Sequence, residues 1–203
     1  MAAARFISFE GIDGSGKSTQ LRRLAAALRA AGRSVVETRE PGGAPGAETI
    51  RRLLVEGDPG RWSPETETLL FTAARRDHLE RTILPALARG DAVLTDRFAD
   101  STRVYQGVAR ADLRATVDAL HALMIGREPD LTLILDLDPE TALGRGLARG
   151  GAEDRFERLG AVFQARLRSG FLALAAEFPD RCRVVPADGD PDAVAARVAE
   201  FAL

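Results

Sequence analysis

Apolar positions along this chain fall into short runs separated by longer stretches of helical period. Arg5–Glu10 (RFISFE) is a compact apolar run bounded by glycine and reads as a buried strand. Ser18–Ala31 follows with Leu21, Leu24 and Leu28 three and four apart, an amphipathic helix stopped by Gly32. Ser34–Thr38, Ala92–Thr95, Leu131–Leu137 and Arg183–Val185 read as further strands. Ala47–Val55, Glu65–Arg89, Leu113–Ile125, Pro139–Ala148, Arg155–Phe178 and Pro191–Phe201 read as helices. The second of these should be interrupted, and Gly90 should close it.

Strands alternating with helices predict right-handed βαβ crossovers. The expected fold is therefore α/β in three layers, a five-stranded parallel sheet with helices on both faces. No repeat, low-complexity tract or linker divides the 203 residues, so one domain should span 1–203. In such sheets ligands lie beyond the carboxyl ends of the strands. The polar clusters fall there: Gly11–Thr19 after the first strand, Arg39–Gly43 after the second, Asp96-Arg97 after the third.

Charge narrows the partners. A net charge of −2, from 28 basic and 30 acidic residues, argues against duplex nucleic acid or an anionic membrane. No apolar run approaches the ~20 residues of a membrane-spanning helix, and the start lacks the pattern of a signal peptide. The one cysteine, Cys182, excludes an intramolecular disulfide framework, and the expectation is a soluble, cytoplasmic protein. Among the 28 basic residues Lys17 is the one lysine, and asparagine is absent. Against such an arginine bias, the lysine at position 17 is either an accident or a sign of something a guanidinium cannot supply.

The neighbours of Lys17 decide. Gly11-Ile12-Asp13-Gly14-Ser15-Gly16-Lys17-Ser18 fits G-x-x-x-x-G-K-[ST], which this composition produces by chance about once in a thousand such chains. A strand precedes it and a helix follows. Glycines let successive N–H groups curl inward, and the helix start adds positive potential. Lys17 would reach the β- and γ-phosphates of a nucleotide, and Ser18 would offer a hydroxyl to Mg²⁺. The triphosphate segment runs through Thr19. A GTPase would also need N-K-x-D, which a chain without asparagine cannot contain.

Other clusters suit phosphate and base chemistry, each with a plainer alternative. Arg39, before Glu40-Pro41-Gly42-Gly43, can grip an acceptor phosphate or simply border a turn. Asp96 can hold metal-bound water and Arg97 can reach a transferring phosphate, or the two form a structural ion pair. Phe71 and Arg75 lie four apart on one helical face, suited to stack on a pyrimidine and donate to its ring carbonyl, or to be core and solvated surface. Arg145, Arg149 and Arg155, in a glycine-rich segment at about 142–155, form either a solvated helix face or a short lid closing over ATP. His78, His121, Trp62 and Cys182 show no partners that assign them chemistry.

The segments FEGIDGSGKSTQ (9–20), TREPGG (38–43), FTAARRDH (71–78), LTDRFADSTRVYQG (94–107) and the arginine-rich stretch through DRFE (154–157) together resemble the thymidylate kinase family. The resemblance implies a P-loop kinase that phosphorylates dTMP to dTDP with ATP and Mg²⁺, and works as a homodimer. It implies that Arg39, Phe71, Arg75, Arg97, Ser101, Thr102, Tyr105 and Gln106 bind dTMP, with Tyr105 against the deoxyribose. Asp13 would contact the 3′-hydroxyl and help organise Mg²⁺. Lys17, Asp13, Arg97 and the lid arginines Arg145, Arg149 and Arg155 would be catalytic, since Gly14 and Ser15 leave the phosphate loop without an arginine. Ser18, Asp96 and Glu157 would form the metal shell. Still open are a kinase for another monophosphate, such as dUMP or AMP, and an ATP-dependent switch that transfers nothing.

Overall fold

The computed structural model describes residues 6–58, 60–110, 112–149 and 160–203. Five parallel strands form one sheet: β1 (Phe6–Glu10), β2 (Val35–Arg39), β3 (Ala92–Asp96), β4 (Leu131–Asp136) and β5 (Cys182–Pro186), in the order β2-β3-β1-β4-β5. The predicted strands are all present, each within about two residues of its expected bounds.

The helices are α1 (Lys17–Ala30), α2 (Pro45–Val55), α3 (Pro64–His78), α4 (Leu84–Ala88), α5 (Ala99–Val104), α6 (Arg114–Met124), α7 (Pro139–Arg149), α8 (Gly160–Glu177) and α9 (Pro191–Ala202). The interruption expected within Glu65–Arg89 is a π-helical turn at Leu79–Ile83, just before Pro85, whose missing N–H cannot continue an ordinary α-helical ladder. The helix expected over Arg155–Phe178 is described from Gly160 onward.

Both faces of the sheet are covered, so β1 is buried at all five positions. Ile7 and Phe9 join Leu21, Leu24 and Leu28 of α1, Phe171 of α8 and Val198 of α9 in the larger core. Phe6 joins Leu79, Ile83, Val93, Phe98 and Ile125 on the opposite side. Ser8 and Glu10 share that second face with Phe6, because side chains alternate along a strand. Their polar groups find polar partners, on β4 for Ser8 and at α5 for Glu10, rather than apolar side chains. The Ser8 and Thr132 hydroxyls bond each other at 3.0 Å, and Glu10 accepts from Phe98 N at 2.7 Å and from Ser101 Oγ at 2.6 Å. Arg103 and Arg181 pair with Asp100, which satisfies a carboxylate that is otherwise sealed in the interior.

The segment after Arg97, for which the apolar pattern predicts no element, forms α5 (Ala99–Val104), continued by a π-helical turn at Tyr105–Arg110. Its buried side includes Asp100, Ser101, Thr102, Arg103 and Gln106. A helix that buries polar side chains on distant partners leaves no apolar period to detect.

Candidate active site

β1 ends at Glu10 and the chain turns through Gly11–Gly16 into α1. Gly11 has φ +130°, and a Cβ there would stand 2.6 Å from the Leu135 carbonyl oxygen. Gly14 has φ +83°, and a Cβ there would overlap the Ala142 carbonyl of α7. Only glycine fits both the dihedrals and the approach. Gly16, the N-cap of α1, supplies no side chain, and the first turn contains no acidic residue, so this helix start favours an anion.

Lys17 is buried in the curl it follows. Its Nζ donates to the Gly11 and Ile12 carbonyls at 3.1 and 2.8 Å and stands 3.8 Å from Asp13. Burial pulls the ammonium down to about 8, Arg97 adds to that, and Asp13 and Asp96 oppose it. Ser18 Oγ, at the mouth, donates to the Asp96 carboxylate from the end of β3.

Arg97 follows Asp96 with φ +72°, a left-handed conformation unusual for a residue with a Cβ. Its N–H donates to Phe9 O at 2.9 Å, tying that bend to β1. The bend sends the guanidinium over the phosphate loop. Nη1 donates to Gly11 O (3.1 Å) and Ser101 Oγ (2.8 Å), and Nη2 to Asp13 Oδ1 (2.5 Å) and the Tyr105 hydroxyl (3.2 Å). The Tyr105 hydroxyl in turn donates to Asp13 Oδ2 at 3.1 Å. Burial alone would raise the Asp13 carboxyl, but the charges of Arg97 and Lys17 outweigh it and hold the group near 2. Burial pushes the Tyr105 phenol up, so it stays a neutral donor.

Two cavities meet here. One, of about 130 Å³, is largely apolar, with Phe71, Val55, Pro41 and Phe98 in its walls and Arg75, Thr102 and Gln106 as polar points. The other, of about 410 Å³, is lined by the phosphate loop, Lys17, Ser18, Thr19, Arg22, Arg39 and Asp96. Asp13, Glu40, Arg51 and Arg97 border both. One side of the cleft thus suits a flat ring, the other a chain of phosphates.

Most residues singled out from the sequence converge on this cleft. Phe71, Arg75, Ser101, Thr102, Tyr105 and Gln106 line the small cavity, and Arg39 lines the large one, where its Nη2 lies 3.3 Å from Glu48. Gln106 is fully buried, with Nε2 on Glu67 (3.2 Å) and Oε1 unpartnered. Ile12 and Ser15 are buried in the loop and support its shape. Arg145 is exposed on α7 and Arg149 ends that helix, while Arg155 and Glu157 lie outside the described residues.

Sequence reasoning missed Glu10, Glu40, Arg51 and His78. Glu40 Oε2 accepts from Arg75 Nε at 2.7 Å, and its Oε1 meets His78 Nδ1 at 3.0 Å. Arg51 donates to the Pro41 carbonyl across the Glu40–Pro41 cis peptide turn. Nothing local in the sequence marked these contacts, since each joins residues far apart or in different elements.

Among the described residues no group of three or more His, Cys, Asp or Glu is placed to hold a metal, and no helix is long and apolar enough to cross a membrane. On the phosphate side Ser18 Oγ and the Asp96 carboxylate stand together. A single carboxylate plus a hydroxyl fits a hard cation that takes its remaining ligands from water and phosphate, as Mg²⁺ does.

The thymidylate kinase family model matches residues 9–198. The chain is 70% identical over 194 residues to a thymidylate kinase of Dinoroseobacter shibae, covering 96% of this chain and 94% of that one. It is 57% identical over 204 residues to one of Caulobacter vibrioides, covering 100% and 98%. The crystal structure of thymidylate kinase from Ehrlichia chaffeensis superposes with a TM-score of 0.82 at 33% identity, over 99% of this chain and 100% of that one. With the family pattern spanning nearly the whole chain and a cleft built for a ring and a run of phosphates, this chain belongs to the thymidylate kinase family.

Proposed function

We propose that this kinase transfers the γ-phosphoryl group of ATP to dTMP, giving dTDP and ADP. The observation that carries the reading is the meeting of the apolar and cationic cavities at Asp13 and Arg97. Thymine lies against Phe71 with a ring carbonyl toward Arg75, and the ATP phosphates lie on the loop and the start of α1. An oxygen of the dTMP phosphate attacks the γ-phosphorus in line, and the bond to the ADP oxygen breaks, with no covalent enzyme intermediate. Lys17 neutralises the phosphoryl oxygens from one side and Arg97 from the acceptor side. Arg39 and Arg51 hold the acceptor phosphate, and Tyr105 leaves no space for a 2′-hydroxyl. Ser18 and Asp96 would hold Mg²⁺, which when bound supplies charge neutralisation on the β- and γ-oxygens. Arg145, Arg149 and Arg155 act as the lid that completes the charge around the transferring group. Glu157 would add a carboxylate to that metal shell.

The same reading takes the enzyme to be a cytoplasmic homodimer. Leu69 of α3 and Leu123 and Met124 of α6 are 58%, 79% and 43% exposed on helices that pack together, apolar side chains open to a second copy. ADP release measured over a panel of dTMP, dUMP, dCMP, AMP and ribo-TMP tests the substrate. A clear preference for dTMP is expected. Faster turnover of AMP would replace the base reading, and ATP binding without turnover of any monophosphate would make the protein a switch.

A further inference from the structure

Arg75 is 4% exposed and its guanidinium is held on two sides. Nε donates to Glu40 Oε2 at 2.7 Å, and Nη2 donates to the Phe98 carbonyl at 3.1 Å and to Thr102 Oγ1 at 3.0 Å. The guanidinium carbon lies 5.2 Å from the centroid of the Phe98 ring, which supports its face. Of the three nitrogens Nη1 is left over, and Arg75 lines the small apolar cavity. Because the guanidinium is planar, fixing Nε and Nη2 fixes the direction of Nη1.

What fixes Nε is itself fixed. Glu40 is also buried, and its second oxygen stands 3.0 Å from Nδ1 of His78, a fully buried ring on α3. His78 Nε2 meets Thr38 Oγ1 at 2.7 Å, at the end of β2. In the neutral ring only the tautomer with hydrogen on Nδ1 serves both partners: it donates to the carboxylate and accepts from the threonine hydroxyl. Gly43 lies so close to both Thr38 Oγ1 and His78 Nε2 that a Cβ there would collide with them, and Thr82 Oγ1 holds the Gly43 carbonyl at 2.6 Å. The chain of contacts Thr38–His78–Glu40–Arg75 therefore begins at the packed end of β2 and ends at the cavity wall.

We propose that Thr38, His78 and Glu40 are positioning residues for base selection, a relay that aims the free Nη1 of Arg75 at the 4-carbonyl of the pyrimidine. This rests on the dTMP reading above. Without the relay, Arg75 can swing about its long side chain and meet a 4-amino group with less penalty. Selection between 4-carbonyl and 4-amino rings then weakens, although no relay residue touches the base edge.

The test compares kcat/KM for dUMP and dCMP in wild type, His78→Phe, His78→Asn and Thr38→Val, with KM for ATP and the unfolding temperature measured alongside. His78→Phe fills the space and cannot donate to Glu40. His78→Asn keeps an N–H near the Nδ1 position. The dUMP-over-dCMP ratio should fall about 10-fold in His78→Phe, the size of a lost hydrogen bond to a charged group. It should fall less in Thr38→Val and be largely restored in His78→Asn, with KM for ATP unchanged throughout. Thr38→Val, at the half-buried strand end, keeps the test alive if His78→Phe does not fold. A ratio within twofold of wild type in the folded variants overturns the relay, as does loss of activity shared equally by both substrates. A wild type that shows no preference for thymine or uracil overturns the substrate reading instead.

Discussion

Arg97 Nη2 and Asp13 Oδ1 stand 2.5 Å apart at the junction of the two cavities, and one Tyr105 hydroxyl bonds both partners. The pair joins the phosphate loop to the end of β3, so it sets where a guanidinium enters the cleft. Asp13→Asn keeps the shape but removes the countercharge of a buried arginine. It should cut kcat/KM for dTMP by about 100-fold, the scale of a charge-assisted contact in a shielded site. Tyr105→Phe should cost less, about 10-fold, because the ion pair survives. Because the Asp13 carboxyl is held near 2, it stays charged through the working range, so the acid limb of the rate profile should not shift in Tyr105→Phe. Steady-state kinetics of both variants check this, and an Asp13→Asn enzyme within threefold of wild type would show that Arg97 needs no such partner.

A second expectation concerns Lys17. Its ammonium is enclosed by the loop and bonds two loop carbonyls, leaving no room for a guanidinium fork. Lys17→Arg should therefore lose activity nearly as completely as Lys17→Ala, despite keeping the charge. Turnover and ATP affinity of both proteins decide the matter. Activity of Lys17→Arg within a few-fold of wild type would contradict the enclosure argument.

The contrast between Lys17 and Glu40 shows what the chain discloses by itself. The phosphate loop is contiguous, its glycines and lysine are spaced by local geometry, and it was legible from the sequence. So were the five strands and most of the helices, because Leu21, Leu24 and Leu28, or Ile7 and Phe9, bury on apolar partners at regular intervals. The strand order was not legible, since it depends on which strands pair after folding. α5 was missed because Asp100, Ser101 and Thr102 bury against Arg181, Glu10 and Arg75. Glu40 and His78 look ordinary in the sequence, and only the packing of α3 on the end of β2 brings them 3.0 Å apart. Motif resemblance reached Arg75; it could not show what holds Arg75 still.

Glu10 gives a prediction about pH. Burial pushes its carboxyl up to about 7, the nearby Asp100 charge adds to this, and Arg97 opposes it. Asp100 is itself paired with Arg103 and Arg181. A carboxyl that starts from an unfolded value of 4.5 and rises to about 7 binds its proton more tightly in the folded state. Its stabilising contribution is full below the unfolded value and is lost as pH rises through the folded one. Glu10→Gln, which is neutral at every pH and keeps an oxygen to accept from Phe98 N–H, should flatten that slope. Thermal unfolding of both proteins from about pH 5 to about pH 7.5 should show wild type losing several degrees relative to Glu10→Gln. Parallel curves across that window would assign the proton elsewhere.

The last prediction concerns Arg145, Arg149 and Arg155, proposed above as a lid. The phosphate loop contains no arginine between Gly11 and Lys17, and Arg97 is committed to Asp13, Ser101 and Tyr105 on the acceptor side. Charge that develops on the transferring phosphoryl group must then be met from the ATP side by a further cation. α7 begins beside the loop, where Ala142 packs on Gly14, and it carries Arg145 and Arg149. In the sequence Arg149 precedes Gly150-Gly151. A contact made mainly in the closed transition state lowers kcat with little change in the KM for dTMP. Arginine fingers supply ~10³–10⁵ in rate, but three arginines can share the load. Arg149→Ala should lose at least ~10-fold in kcat, and the triple alanine variant at positions 145, 149 and 155 far more than any single one. A triple variant with wild-type kcat would make these arginines a solvated face and leave the catalytic charge to Arg22 and Arg39, which line the phosphate-side cavity.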